Sequence, residues 1–140
     1  MGDAQAASGT SHSNPATMRA DRLELIARSE VRQALRRLPE GIRTAAADCV
    51  IQCTLMADCL AAGEEIEDDL LGIFEGCSRA DPLPEAPNQL PRIRLFLDNL
   101  WDYAEGRRDV FREEVRLTLL HELGHYLGLD EAQVAALGLA

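Results

Sequence analysis

Near the N-terminal end, apolar residues recur at intervals of three and four positions. Between residues 19 and 37 this spacing defines one face of an amphipathic helix. Its apolar members are Leu23, Ile26, Ala27, Val31, Ala34, Leu35 and Leu38. Pro39 should stop the helix, because proline removes a backbone donor and clashes with the preceding turn.

Three later segments are predicted to be strands. Residues 49–56 alternate, with Cys49, Ile51, Cys53 and Leu55 on one face; residues 70–74 form a short apolar run. Residues 92–98 alternate most clearly, with Ile93, Leu95 and Leu97 on one face. Residues 61–69 are acidic and predicted to be a loop. Residues 78–91 hold four of the six prolines and are predicted to be an extended surface loop.

Helical spacing returns at the C-terminal end. Residues 110–127 are predicted to form a helix, with Asp109 as its N-cap and Gly128 just beyond its last turn. A last short helix is predicted over residues 131–137. Runs of helix and strand in this order indicate the α+β class.

Length and charge restrict the fold and its partners. With 140 residues, the chain fits one domain, predicted over residues 20–140 behind a disordered extension at residues 1–19. The net charge of −10 argues against nucleic acid as a partner. Neither a signal peptide nor a transmembrane helix is evident, so no membrane partner and a cytoplasmic location are expected. The sequence makes no prediction of oligomeric state.

The four cysteines are Cys49, Cys53, Cys59 and Cys77. The alternative to free thiols is a cysteine metal site or a disulfide. Zinc sites prefer closely spaced pairs such as CxxC, which are absent here. We therefore predict buried free thiols that pack as small apolar side chains.

The candidate chemistry lies in the helix predicted over residues 110–127. His121 and His125 are one turn apart on the same face, with Glu122 on its flank, which is the HExxH pattern of zinc hydrolases. The alternative is a solvated polar stripe on an amphipathic helix. Two observations favour metal: chance HExxH motifs are rare, and the third histidine, His12, lies in the predicted extension.

The residues after the motif extend it to HExxHxxGxxE. A left-handed glycine at Gly128 would turn the chain back toward the histidines. Glu131 is the predicted third ligand of Zn²⁺ by its spacing, with Asp130 as the alternative. The predicted metal ligands are therefore His121, His125 and Glu131, and the predicted catalytic residue is Glu122.

At this point the sequence resembles the small bacterial minimal zincins, a zincin-like HExxH metallopeptidase family. The resemblance spans about residues 24 to 137. It rests on LLGIFEG at 70–76, PRIRLFLDNL at 91–100 and REEVRLTLLHELGHYLGLDE at 112–131. It implies a small three- to four-stranded sheet packed on an N-terminal helix and a C-terminal HExxH helix. Family members usually carry Asp at the position matching Glu131.

These observations predict a zinc metallopeptidase in which Glu122 activates a zinc-bound water to attack a peptide or protein substrate. Two alternatives stay open: a zinc-binding interaction module without proteolytic activity, and a hydrolase of non-peptide amides. Residues 92–98 could bind substrate as an edge strand or lie within the core. An oxyanion donor is also needed. Tyr103, Tyr126 and Arg116 are candidates by type, although packing is expected for Tyr126 and a surface position for Arg116.

Overall fold

The computed structural model describes residues 15–78 and 90–138, with side chains from 18 to 78 and from 90 to 136. Helices combined with one small three-stranded sheet in this part of the chain confirm the α+β class. The elements run in the order α1 (Pro15–Arg36), α2 (Glu40–Ala46), β1 (Val50–Thr54), α3 (Met56–Ala61), β2 (Gly72–Glu75), β3 (Arg92–Phe96), α4 (Leu97–Tyr103), α5 (Arg108–Leu127) and α6 (Glu131–Gly138).

Helix α1 presents the predicted apolar face to the core. Leu23, Ala27, Val31 and Ala34 are all buried, and the helix ends before Pro39. It begins at Pro15, so residues 15–19 of the predicted extension belong to its first turns. The rest of that extension, including His12, lies outside the described residues.

The central strand of the sheet is β3, in the order β1-β3-β2. It pairs in parallel with β1, where Ile51 faces Ile93, and antiparallel with β2, where Phe74 faces Ile93. Because both edges of β3 are paired, the hypothesis that residues 92–98 bind substrate as an edge strand is wrong. The strand also ends earlier than predicted, since Leu97 already begins α4.

Each face of the sheet is covered. On one face, Ile93 and Leu95 are fully buried in the core shared with α1 and α5. On the other, Phe96 packs with Met56 and Cys59 in a smaller apolar cluster. Apolar residues of the segment after α3 pack against this second cluster.

An arginine on β3 connects the segment after α3 to the sheet through hydrogen bonds. Arg94 donates hydrogen bonds to both carboxylate oxygens of Glu64, at 3.1 and 2.9 Å, and to Glu75 at 3.0 Å. Its guanidinium also lies 5.5 Å from the ring centroid of Phe96. These hydrogen bonds raise the pKa of Arg94 above its ordinary value, and the hydrogen bonding to Glu64 has the largest effect.

One prediction for a connecting segment was incomplete. The strand predicted through Met56 ends at Thr54, and the unpredicted helix α3 follows. Most of the proline-rich segment predicted as a loop, residues 79–89, lies outside the described residues.

No helix in the described part of the chain is long and apolar enough to cross a membrane.

Candidate metal centre

Helix α5 carries the candidate site and is anchored by one apolar face. Phe111, Val115, Leu119 and Leu123 are buried at four-residue spacing, as expected for a helix packed along its length. The helix begins one residue before the predicted N-cap. Asp109 is therefore not its N-cap; its carboxylate lies in the first turn, 3.5 Å from Arg107.

The structure brings His121, Glu122 and His125 together. Their candidate ligand atoms all lie within 4.8 Å of one another. The two imidazole rings are 4.7 Å apart between centroids, and both histidines are exposed. This cluster is formed by adjacent turns of one helix and needs no distant element.

Glu122 differs from the histidines in its burial. Only 8% of the residue is exposed, and its Oε1 lies 3.2 Å from Nδ1 of His125. Glutamate is rarely this buried unless a partner compensates for lost hydration. A solvated stripe would leave all three side chains in water, so the burial of Glu122 disfavours that alternative.

The donor set fits a zinc ion. Tetrahedral zinc with Zn–N bonds of about 2.0–2.1 Å requires ligand nitrogens roughly 3.4 Å apart. The candidate ligand nitrogens of His121 and His125 lie within 4.8 Å of each other, and both side chains are exposed. Glu122 can lie beside such an ion without being one of its ligands.

The turn after α5 has the predicted left-handed glycine. Gly128 has φ 75° and ψ 28°. The amide of Leu129 donates to the carbonyl of Gly124 at 2.9 Å, and that of Gly128 donates to His125 at 3.4 Å. This pair of bonds is the Schellman motif, which ends a helix and reverses the chain.

After the reversal, both candidate third ligands line the same cavity as the histidines. Asp130 and Glu131 line a cavity of about 420 Å³ together with His121 and His125. The rest of the lining is largely aliphatic, from Leu117, Leu120, Leu129, Val134 and Ala135. The three-residue cluster with ligand atoms in close proximity does not include either carboxylate.

The two carboxylates differ in what they bind. Oδ1 of Asp130 accepts a hydrogen bond from the amide of Gln133 at 2.8 Å, and Oε1 of Gln133 accepts one from the amide of Asp130 at 2.9 Å. This is a capping box at the start of α6. Glu131 is exposed and its carboxylate has no hydrogen-bond partner among the described residues.

A second cavity reaches the site from the side of the sheet. It has about 320 Å³ and is lined by Leu71, Gly72, Leu117, Thr118, His121 and Glu122. A Cβ atom on Gly72 would lie 2.6 Å from Cγ2 of Thr118, so this glycine permits β2 to approach α5 closely. Sequence reasoning missed Thr118; its position one turn before His121 and Glu122 was the available signal.

None of the three residues considered as oxyanion donors lines either cavity. Tyr126 is 1% exposed and packs against Phe74, with ring centroids 5.7 Å apart, so its expected packing role is confirmed. Tyr103 is 61% exposed on α4. Arg116 is only partly exposed and is engaged in an interaction of its own.

The cysteines take no part in this cluster. All four are free, and Cys49 and Cys59 are buried as predicted. Cys53 is half-buried, whereas Cys77 is exposed, so the prediction of burial is wrong for Cys77. Burial raises the pKa of Cys49 to about 11.

Comparison with known proteins identifies a relationship over most of the chain. The sequence profile of a family described as zincin-like metallopeptidase matches residues 48–139. The match begins later than the predicted resemblance, leaving out α1 and α2, and it contains both cavities and the HExxH helix. None of the curated proteins compared with the chain matches it significantly.

Proposed function

This chain belongs to the zincin-like metallopeptidase family, and on that premise we propose that it is a zinc-dependent peptidase. The observation that carries the proposal is a buried carboxylate, Glu122, beside two exposed imidazoles, one of which, His121, lines both cavities. We further propose the layout of a minimal zincin, in which α1 and α5 support one face of the sheet.

Three side chains would hold the metal. His121 and His125 supply neutral nitrogens, and Glu131 supplies a carboxylate oxygen. Glu131 is preferred over Asp130 because Oδ1 of Asp130 already caps α6. Three protein ligands are the number expected at a catalytic zinc site, which keeps one position open. Bound zinc would lower the pKa of a coordinated water toward about 7 and polarise the scissile carbonyl.

Glu122 would act as the general base and then as the general acid. Its carboxylate would accept a proton from the attacking water and deliver it to the departing amine. Burial suits this role, because a water-poor surrounding strengthens its electrostatic interactions. The hydrogen bond to His125 fixes where the carboxylate lies.

The substrate would lie across α5 between the two cavities. Strand β2 pairs with β3 alone among the described strands, so its other edge offers backbone groups to an extended peptide. The cavity at Gly72 and Thr118 opens from this edge onto His121 and Glu122. A peptide paired with β2 would therefore bring a carbonyl close to the proposed base.

Thr118 is the proposed donor to the developing oxyanion. It provides the one side-chain hydroxyl lining the cavity that contains Glu122, within the part of the chain described here. Its methyl group is the part that contacts Gly72. The hydroxyl has no protein partner among the described residues, so it is available to a substrate.

The test combines metal analysis with cleavage. Zinc-loaded chain should bind one zinc ion and cleave members of a mixed peptide library, and a chelator should abolish cleavage. One bound zinc without cleavage of peptides would contradict the peptidase proposal and favour the interaction module or a hydrolase of other amides. Absence of stoichiometric zinc would contradict the site itself.

A further inference from the structure

A third concave surface lies at the opposite end of α5 from the histidines. It is a groove of about 350 Å³ between α1 and the α4–α5 corner, lined by Met18, Arg19, Arg22, Leu23, Ile26, Trp101 and Arg108. We call it the arginine groove. Arg108 precedes His121 by thirteen residues, which corresponds to roughly 20 Å along a helix. The arginine groove is therefore separate from the candidate metal centre.

The floor of the arginine groove is apolar. Leu23 is buried, and Ile26 and Trp101 are half-buried, so each presents part of its surface to the groove. Trp101 is held edge-on against Phe111, with ring centroids 5.6 Å apart. A half-buried aromatic ring fixed in this way offers a preformed surface to an apolar ligand.

The polar side chains of the arginine groove are all hydrogen-bond donors. Its polar lining residues are Arg19, Arg22, Arg108 and Trp101, whose side chains donate but do not accept hydrogen bonds, and no Asp, Glu, Asn or Gln lines it. Within the described residues, none of these three arginines makes an ion pair. The indole N–H likewise has no protein acceptor there.

This arrangement is unusual for an acidic chain. The protein has 24 acidic and 14 basic residues, so most arginines are expected to have carboxylates nearby. Arg19 and Arg22 lie one turn apart on α1, and α5 contributes Arg108 to the same groove. Like charges that converge from two helices repel each other, and an anion between them would remove that cost.

We propose that the arginine groove binds a small amphipathic anion, in which a phosphate or carboxylate head contacts the arginines and an apolar body covers Trp101. Guanidinium groups suit both heads because their planar donors match the acceptor oxygens. A dianionic phosphate should bind more tightly than a carboxylate, since its second negative charge strengthens the attraction to the three arginines. This inference concerns binding alone and is independent of the proposed peptidase activity.

Trp101 is the one tryptophan of the chain and reports directly on the arginine groove. Octyl phosphate, octanoate and 1-octanol should be titrated against the full chain while its tryptophan emission is recorded. The expected order of affinity is octyl phosphate, then octanoate, then octanol, with the phosphate affinity falling as salt is raised. The two anionic probes show which head the groove prefers.

Variants that each remove one positive charge then show which arginines contact the head group of the ligand. Arg22→Gln and Arg108→Gln, both at exposed positions, should each weaken octyl phosphate binding about five- to tenfold, the scale of one charge-assisted contact. Arg32→Gln is the matched control, because Arg32 is exposed on α1 but does not line the groove. The affinity of this control variant should stay within about twofold of the wild-type value.

Three outcomes would overturn the proposal. They are unchanged emission and no calorimetric heat with any probe, octanol binding as tightly as octyl phosphate, or an equal loss of affinity in Arg32→Gln. Circular dichroism of each variant verifies that the fold is retained, so a loss of binding can be assigned to the removed charge.

Discussion

Val134 of α6 lies directly against Gly124 of α5, so closely that a Cβ atom at position 124 would overlap Cγ2 of Val134. Gly124 is the buried residue that immediately precedes His125 on the HExxH helix. The close approach of α6 therefore occurs beside the candidate ligands. It also positions Glu131, three residues before Val134, at the mouth of their cavity.

Gly124→Ala should weaken zinc binding by displacing α6. The added methyl group cannot be accommodated without moving Val134, and such overpacking costs typically about 1–3 kcal/mol of stability. We expect a lower melting temperature and a zinc affinity reduced about tenfold, measured by competition with a chromophoric chelator. Gly41→Ala is the matched control, because no atom lies within 4 Å of the position that its methyl group would take. Unchanged zinc affinity in Gly124→Ala would show that the position of α6 does not affect the metal.

The third ligand can be identified by comparing Glu131→Gln with Asp130→Asn. Both changes remove one charge with little change in size, and asparagine can still cap α6. We expect Glu131→Gln to lower zinc affinity by at least about 100-fold, beyond the loss typical of a residue that only orients a ligand. Asp130→Asn should stay within about threefold. The opposite ranking would assign the metal to Asp130.

Thr118→Val tests the proposed oxyanion donor. Valine keeps the methyl group that lies close to Gly72 and replaces the hydroxyl with a second methyl group. Turnover should fall about 100-fold or more, as for loss of one oxyanion donor, while zinc affinity stays unchanged. Thr44→Val, at an exposed position on α2, is the control. Wild-type turnover in Thr118→Val would exclude this hydroxyl from catalysis.

The proximity of His121, Glu122 and His125 was predictable because these residues are local in sequence. One helical turn separates His121 from His125, and the glycine that reverses the chain follows three residues later. Helical geometry alone therefore fixes their relation. Spacing in the sequence favoured Glu131 over Asp130 as the third ligand, and the capping box between Asp130 and Gln133 adds a structural reason for the same proposal.

The unpredicted elements depend on contacts between distant residues. Helix α3 is capped by Asp98, whose carboxylate oxygens accept hydrogen bonds from the amides of Met56 at 2.7 Å and Ala57 at 3.0 Å. No local sequence pattern near residue 56 predicts that a side chain so far along the chain caps this helix. Likewise, the alternation over residues 92–98 predicted a strand, but only the pairing of β3 with both neighbours showed that it is central.

The thiols should differ in reactivity toward iodoacetamide at pH 8. The pKa of about 11 at Cys49 leaves on the order of one thiol in a thousand ionised at that pH, and the thiolate is the reactive form. Burial further restricts access to Cys49, whereas Cys77 is exposed. Mass spectrometry over time should show Cys77 modified well before Cys49. Equal rates under native conditions would contradict the burial of Cys49.

The most direct test of the proposed peptidase is the comparison of zinc-loaded wild type with zinc-loaded Glu122→Gln. Glutamine preserves the volume of this buried side chain but cannot accept the proton. We expect one bound zinc in each protein, peptide cleavage by the wild type, and a rate lower by at least about 100-fold in the variant. Equal cleavage by both proteins, or none by the wild type, would contradict it.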